Sequence, residues 1–193
     1  GYARQDKAHR EGEGISARVM ARLIEAVDFN KVVTVDLHSE LVEGFFNIGL
    51  KHLGAGPLFA DVLKKSKKDF VVVSPDTGGA KRAQKFAEKL DAPLTLVEKK
   101  RNLDKAHTID HLSLVGNVSG KTAVMIDDVI TSGGTLVKAA YMLKDHGARE
   151  VIAAATHADF VNGTKKILED SPLDQVYVTD SIVVKPEDKF KNL

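Results

Sequence analysis

The chain contains no cysteine and no tryptophan, and it carries no long hydrophobic run. Each lack removes a class of function. Without cysteine there is no disulfide, no thiolate nucleophile and no zinc–thiolate site. No apolar stretch reaches the roughly 18 residues of a membrane-spanning helix, and no signal-peptide pattern opens the chain. A cytoplasmic protein without a membrane partner is the expectation. Charge of one sign is missing as well: 28 Lys and Arg stand against 27 Asp and Glu, a net charge of +1. No global basic field draws nucleic acid, and none is expected as a partner. Two nucleotide-binding signatures are absent, since neither G-x-x-x-x-G-K-[ST] nor G-x-G-x-x-G occurs. What remains is 193 residues at 43% apolar content, enough for one large globular domain or a domain and a half.

The most informative stretch runs from Val124 to Val137. Four apolar residues, Ala123 to Ile126, lead into adjacent carboxylates, Asp127 and Asp128. A short loop containing Thr131, Ser132, Gly133 and Gly134 follows, and a helix is predicted from Thr135. Glycines let backbone come close to a ligand, and a helix N-terminus presents unsatisfied N–H groups and partial positive charge. That combination suits phosphate, but two carboxylates would repel it. A sugar phosphate reconciles them, with the loop taking the anion and the Asp pair the neutral hydroxyls. Turn and cap chemistry without a ligand is the competing reading of the same residues.

Along the chain, residues 1–14 are polar and glycine-rich and read as a mobile loop. Ile15, Val19, Leu23 and Val27 recur at helical spacing. Lys31–Leu37 is a β-branched run that reads as a buried strand, ending in Asp36-Leu37-His38. No clean period covers 44–56, and a domain boundary is placed near residue 50. Helices are predicted at 57–66, up to Leu90, 135–146 and 162–170, and strands at 70–74, 94–97, 112–115, 122–127, 151–156 and 175–179. The turn at 116–120 suggests a hairpin between the strands on either side of it. A second strand–glycine loop–helix junction sits at Pro75-Asp76-Thr77-Gly78-Gly79-Ala80-Lys81-Arg82, and His157-Ala158-Asp159 follows a third strand. The segment 98–111 is basic, and reads equally as solvent-facing or ligand-binding. This β/α alternation predicts an α/β fold, a mostly parallel sheet with helices on both faces. Its site belongs at the C-terminal edge of the strands.

Taken together, the segments Tyr2–Lys7, Val35–His38, Glu43–Phe46, Ser74–Arg82, Glu98–Arg101 and Val124–Val137 resemble ribose-phosphate diphosphokinases, the family that makes phosphoribosyl diphosphate (PRPP). Thr131 and the run Gly12–Ser16 are similar to archaeal members. The resemblance implies a type I phosphoribosyltransferase-like fold at 50–193, and at 1–49 the remnant of a second, similar N-terminal domain carrying the ATP-binding loop. Relative to the family the chain lacks segments before Tyr2 and after Phe190, so a piece of a longer protein is expected. It implies ATP and ribose 5-phosphate as substrates and Mg²⁺ as cofactor. Arg4 and Gln5 would contact ATP, and His38 and Asp76 would hold the metal. Asp76, Thr77, Gly78 and Gly79 would form the diphosphate loop. Asp127, Asp128, Thr131, Ser132, Gly133, Gly134 and Thr135 would bind ribose 5-phosphate. Lys99 and Arg101 would be the catalytic cations. A homo-oligomer, dimer or larger, is expected because a remnant domain leaves an apolar face uncovered. Two other activities stay open: a phosphoribosyltransferase that consumes PRPP, and a catalytically silent regulatory subunit.

Overall fold

A computed structural model describes residues 2–8, 10–100 and 111–193, giving the backbone alone at 99, 100, 111 and 112. The chain divides into two compact units, Gly1–Ala55 and Gly56–Leu193.

In the first unit, helix α1 (Ser16–Glu25) follows the 3₁₀ turn Tyr2–Arg4. Only Ala17 and Ala21 of α1 are buried, and Val19 and Leu23 stay exposed. Strand β1 (Lys31–Val35) pairs in parallel with β2 (Gly49–Leu53), from Lys31 opposite Gly49 to Val35 opposite Leu53. The predicted strand at 31–37 is thus present but half-exposed, with alternating residues open to solvent. Strand β2 falls within the stretch 44–56, where the sequence shows no clean period. Its sequence, Gly-Leu-Lys-His-Leu, alternates for only five residues, too few to stand out from the glycine-rich turns around it.

The second unit is built on a six-stranded sheet in the order β5-β4-β3-β6-β7-β8. The strands are β3 (Phe70–Ser74), β4 (Leu94–Lys100), β5 (His111–Val115), β6 (Thr122–Ile130), β7 (Glu150–Ala158) and β8 (Gln175–Val178). All neighbours are parallel except β4 and β5. Helices α2 (Gly56–Lys64), α3 (Ala80–Leu90), α4 (Gly134–Asp145) and α5 (Thr164–Glu169) connect or precede them. From β3 the chain crosses through α3 leftward to β4, and from β6 through α4 rightward to β7. Right-handed crossovers in opposite directions put α3 and α4 on opposite faces. The packing agrees: α2 touches α3, and α5 touches α4. Strand alternation supplies both cores. Val71, Val73, Ala123, Met125 and Val151 form one cluster with Leu136, Ala139, Leu143 and Leu168. Val72, Val124 and Ile152 are buried on the alternate positions, and α2 and α3 bury Phe59, Phe86 and Leu90.

Two expectations change. Strand β5 pairs antiparallel with β4, Leu96 opposite Val115, so the hairpin predicted across 116–120 does not form. Strand β6 has a better place between two buried parallel neighbours, β3 and β7, and its apolar run suits burial on both faces. Strand β6 also continues through the Asp pair to Ile130, with Asp127 opposite Ala155. The strand predicted at 122–127 thus runs three residues further and takes in Asp128 as well. The stretch 186–193 is also anchored to the sheet. Asn192 accepts a bond from Val176 N (2.7 Å), and the buried Phe190 ring lies 6.3 Å from Phe160.

Candidate functional site

Strands β3 and β6 lie side by side, and the connections leaving their C-terminal ends diverge to opposite faces. This is the topological switch point, where an open α/β sheet leaves a crevice for ligands. Two glycine loops meet there.

The first loop leaves β3 at the fully buried Ser74, whose Oγ donates to Asp76 O (2.7 Å). Asp76 Oδ1 accepts from Gly79 N (2.8 Å), closing the turn just before α3. A Cβ on Gly79 would stand 3.2 Å from Ser74 Oγ and 3.5 Å from Asp76 Oδ1. Glycine therefore lets Thr77 and Gly78 stay exposed while the loop folds tightly on the Asp76 carboxylate.

The second loop follows β6. Asp127 is half-buried and Asp128 nearly fully buried. Arg82, from the first turn of α3, reaches across to both: Nη1 lies 2.8 Å from Asp127 Oδ1 and Nη2 3.1 Å from Asp128 Oδ1. Asp128 N also donates to Asp127 Oδ1 (2.9 Å). Burial, then the neighbouring Asp128 carboxyl, push the Asp127 carboxyl up to about 7, with Arg82 opposing them. One guanidinium thus faces two carboxyl groups. The pair is an acceptor-rich wall suited to hydroxyl donors.

Beyond Ile130, Thr131 is pinned by its carbonyl, which accepts from Thr164 Oγ1 (2.6 Å). Ser132 and Thr135 are exposed. Gly133 caps α4 in the left-handed region (φ 76), and a Cβ there would come 2.8 Å from Leu168 Cδ2. Only glycine fits. Having no side chain, this cap makes no side-chain hydrogen bond to the start of α4, and unsatisfied first-turn N–H groups are the usual setting for anion binding.

The structure thus brings together Asp76–Gly79, Asp127, Asp128 and 131–135 at one sheet edge. Lys99 is on β4, with its backbone alone described, and Arg101 lies outside the described residues. Arg4, Gln5 and His38 belong to the other unit. Arg4 and His38 are exposed. Gln5 spends its amide internally, donating to Glu13 Oε1 (2.8 Å) and accepting from Ser16 Oγ. Among the described residues no group of three or more His, Asp or Glu is arranged to hold a metal. Magnesium does not require one, since it keeps several waters and binds through one or two carboxylates plus ligand phosphates. The Asp76 carboxylate fits that donor set, and an imidazole fits it less well.

Arg82 is the site residue that sequence reasoning passed over. Its signal was its place: a cation in the first turn of a helix, where the dipole disfavours it, calls for carboxylate partners elsewhere.

Comparison with known proteins bears on the family and the fold. Residues 52–191 match the phosphoribosyl transferase domain family. The chain is 43% identical over 195 residues to a ribose-phosphate pyrophosphokinase of Caldanaerobacter subterraneus, covering 100% of this chain and 61% of that protein. It is 42% identical to that of Thermosipho africanus, covering 94% of this chain and 58% of the relative. The crystal structure of phosphoribosylpyrophosphate synthetase from Mycobacterium smegmatis superposes with a TM-score of 0.91 at 36% identity, covering 99% of this chain and 62% of that one. The chain thus spans about three fifths of the relatives it matches. Adenine phosphoribosyltransferase of Giardia lamblia, at 15% identity and a TM-score of 0.50, shares the fold alone. With its family match over residues 52–191 and both glycine loops at the switch point, the chain belongs to the phosphoribosyl transferase domain family.

Proposed function

We propose that this chain is the greater part of a ribose-phosphate diphosphokinase, which transfers the diphosphoryl group of ATP to the anomeric hydroxyl of ribose 5-phosphate. The observation that carries the reading is the meeting of two anion loops and one carboxylate pair at a single sheet edge, bridged by Arg82. A site that only bound a sugar phosphate would need the 131–135 loop and the Asp pair. The Asp76–Gly79 loop is a second phosphate subsite beside it, as a diphosphoryl donor requires. Relatives at about 40% identity along the whole chain bear the name of this activity.

In this reading the α4 N-terminus, with Thr131, Ser132 and Thr135, takes the 5-phosphate. Asp127 and Asp128 accept from the ribose hydroxyls and fix the sugar ring. Asp76, Thr77, Gly78 and Gly79 hold the diphosphoryl group. The anomeric oxygen attacks the β-phosphorus of ATP, the bond to the α,β-bridging oxygen breaks, and AMP leaves as the hydroxyl proton passes to solvent. Such transfers depend on alignment and charge neutralisation more than on covalent chemistry. Lys99 and Arg101 supply positive charge to the transferring group, and Arg4 and Gln5 contact ATP. Asp76 and His38 would hold Mg²⁺, which when bound would neutralise part of the phosphate charge. The unit Gly1–Ala55 is then the remainder of an N-terminal domain. Its exposed Val19, Leu23, Val27 and Phe29 support self-association into a dimer or larger, and the protein works in the cytoplasm.

The test is incubation of the full-length protein with ATP, Mg²⁺ and ribose 5-phosphate. AMP and PRPP formed only when ribose 5-phosphate is present would support the proposal. Consumption of PRPP with a purine or pyrimidine base, and no AMP, would instead assign a phosphoribosyltransferase. Neither reaction, together with binding to an active homologue, would assign a regulatory subunit.

A further inference from the structure

The unit Gly1–Ala55 contains a closed polar ring that the function above does not use. Its parts come from three neighbouring elements. Strand β1 ends at Val35, and Asp36 turns the chain outward with φ 39, an uncommon value for a residue with a side chain. Asp36 is held at both ends. Its N–H donates to Leu53 O (2.8 Å), and its Oδ2 accepts from Ala55 N (2.8 Å). The next N–H, that of Leu37, donates to Nε2 of His52 on β2 (3.0 Å). The parallel register sets Thr34 opposite His52, so the imidazole reaches forward past the end of β1.

That bond settles the tautomer. A ring nitrogen that accepts from a backbone N–H carries no hydrogen of its own, so the hydrogen of the neutral imidazole is on Nδ1. Nδ1 lies 2.7 Å from Glu43 Oε1 and donates to it. Glu43 belongs to the 3₁₀ turn Glu40–Phe45, whose cap is Ser39. The ring therefore runs from Leu37 to His52 to Glu43 and back through the turn to Ser39, whose Oγ accepts from Leu41 N (3.2 Å). One residue lies between its two ends: His38, which is exposed.

We propose that His52, held in one tautomer by Glu43, is a positioning residue for His38. It fixes the backbone on one side of His38, and the turn carrying Glu43 fixes the other. This rests on the reading above that His38 faces cation-bound ATP phosphates. A carboxylate that orients an imidazole, which in turn orients a neighbouring group, is a recurrent way to pre-set a functional side chain.

The experiment compares turnover and the KM for Mg·ATP in full-length H52L, H52Q and H38A, with ¹⁵N NMR of the His52 ring in the unaltered protein. Leucine leaves the Leu37 N–H without its acceptor. Glutamine restores an acceptor for Leu37 and a donor for Glu43. H52L is expected to lower turnover roughly a hundredfold, as a misplaced group does, and H52Q to recover most of it. Ribose 5-phosphate affinity should be unchanged in both. The NMR should show the Nδ1-protonated tautomer. Full activity in H52L alongside an impaired H38A overturns the proposal alone. Full activity in H38A overturns the reading of His38, and the proposal with it. If H52L does not fold, an Nε2-protonated His52 in the unaltered protein, or an H52Q as impaired as H38A, is the overturning result.

Discussion

Asp127 is where charge and burial are in sharpest conflict. Its carboxyl is pushed from an ordinary value of 3.8 up to about 7, chiefly by burial and next by Asp128. Between those values the folded protein keeps a proton that the unfolded chain releases, so stability falls as pH rises. Urea midpoints measured from about pH 4 to about pH 7 should decline, and Asp127→Asn should flatten that slope. Glu150 behaves oppositely. Lys68 holds it below its ordinary 4.5, so its contribution is lost as pH falls below that value. Removing the cation from the Asp pair is a separate test. Arg82→Met leaves two carboxylates facing each other, and should cost about 2 kcal/mol in denaturant unfolding, less than the ~3–5 of a fully buried pair because the guanidinium keeps some solvent contact. A change within error of zero would mean the two contacts add nothing to the fold. If Lys99 supplies charge as proposed, Lys99→Ala should lower turnover about a hundredfold or more while leaving ribose 5-phosphate affinity nearly unchanged. Turnover within a few-fold of the parent would remove Lys99 from the mechanism.

At the scale of elements, function follows from how β6 ends and α4 begins. The strand stays paired to Ile130, so the Asp side chains inherit the rigidity of the sheet rather than that of a loop. The helix then opens on a left-handed Gly133 pressed against Leu168 of α5. Gly133→Ala combines a strained φ with a clash in the core, and should cost about 1–3 kcal/mol. It should also weaken ribose 5-phosphate binding, because the first-turn N–H groups would be displaced. Calorimetric titration and thermal melts test both parts. Retained affinity in a destabilised variant would separate the helix start from the phosphate site.

On the scale of the molecule, the two units differ in depth. Strand β3 is buried along its whole length, and β6 and β7 nearly so. Strands β1 and β2 alternate between half-buried and exposed positions, with no buried residue in either. Local stability tracks buried apolar contact, so amides of β1 and β2 should exchange with deuterium well before those of β3, β6 and β7. Equal protection would show that the first unit draws stability from something other than its own core.

Much of this could be read from the residues because it is local. The apolar run of β6, the glycine loops at 76–79 and 131–135 and the amphipathic spacing of α1 are short-range patterns, and each names its own chemistry. The alternation of strand and helix was enough to predict a mostly parallel sheet, and with it the strand edge where a candidate site belongs. Pairing is not local. Which strand takes β5, whether 49–53 joins a sheet, and how far β6 extends past its carboxylates depend on neighbours distant in the sequence. So do the cation on the Asp pair and the imidazole beneath Leu37. Arg82 is 45 residues from Asp127, and His52 is 15 from Leu37. In each case the partner was chosen by burial: a buried carboxylate needs a cation, and a strand-end N–H needs an acceptor. Only the folded chain decides which residue stands close enough to meet that need.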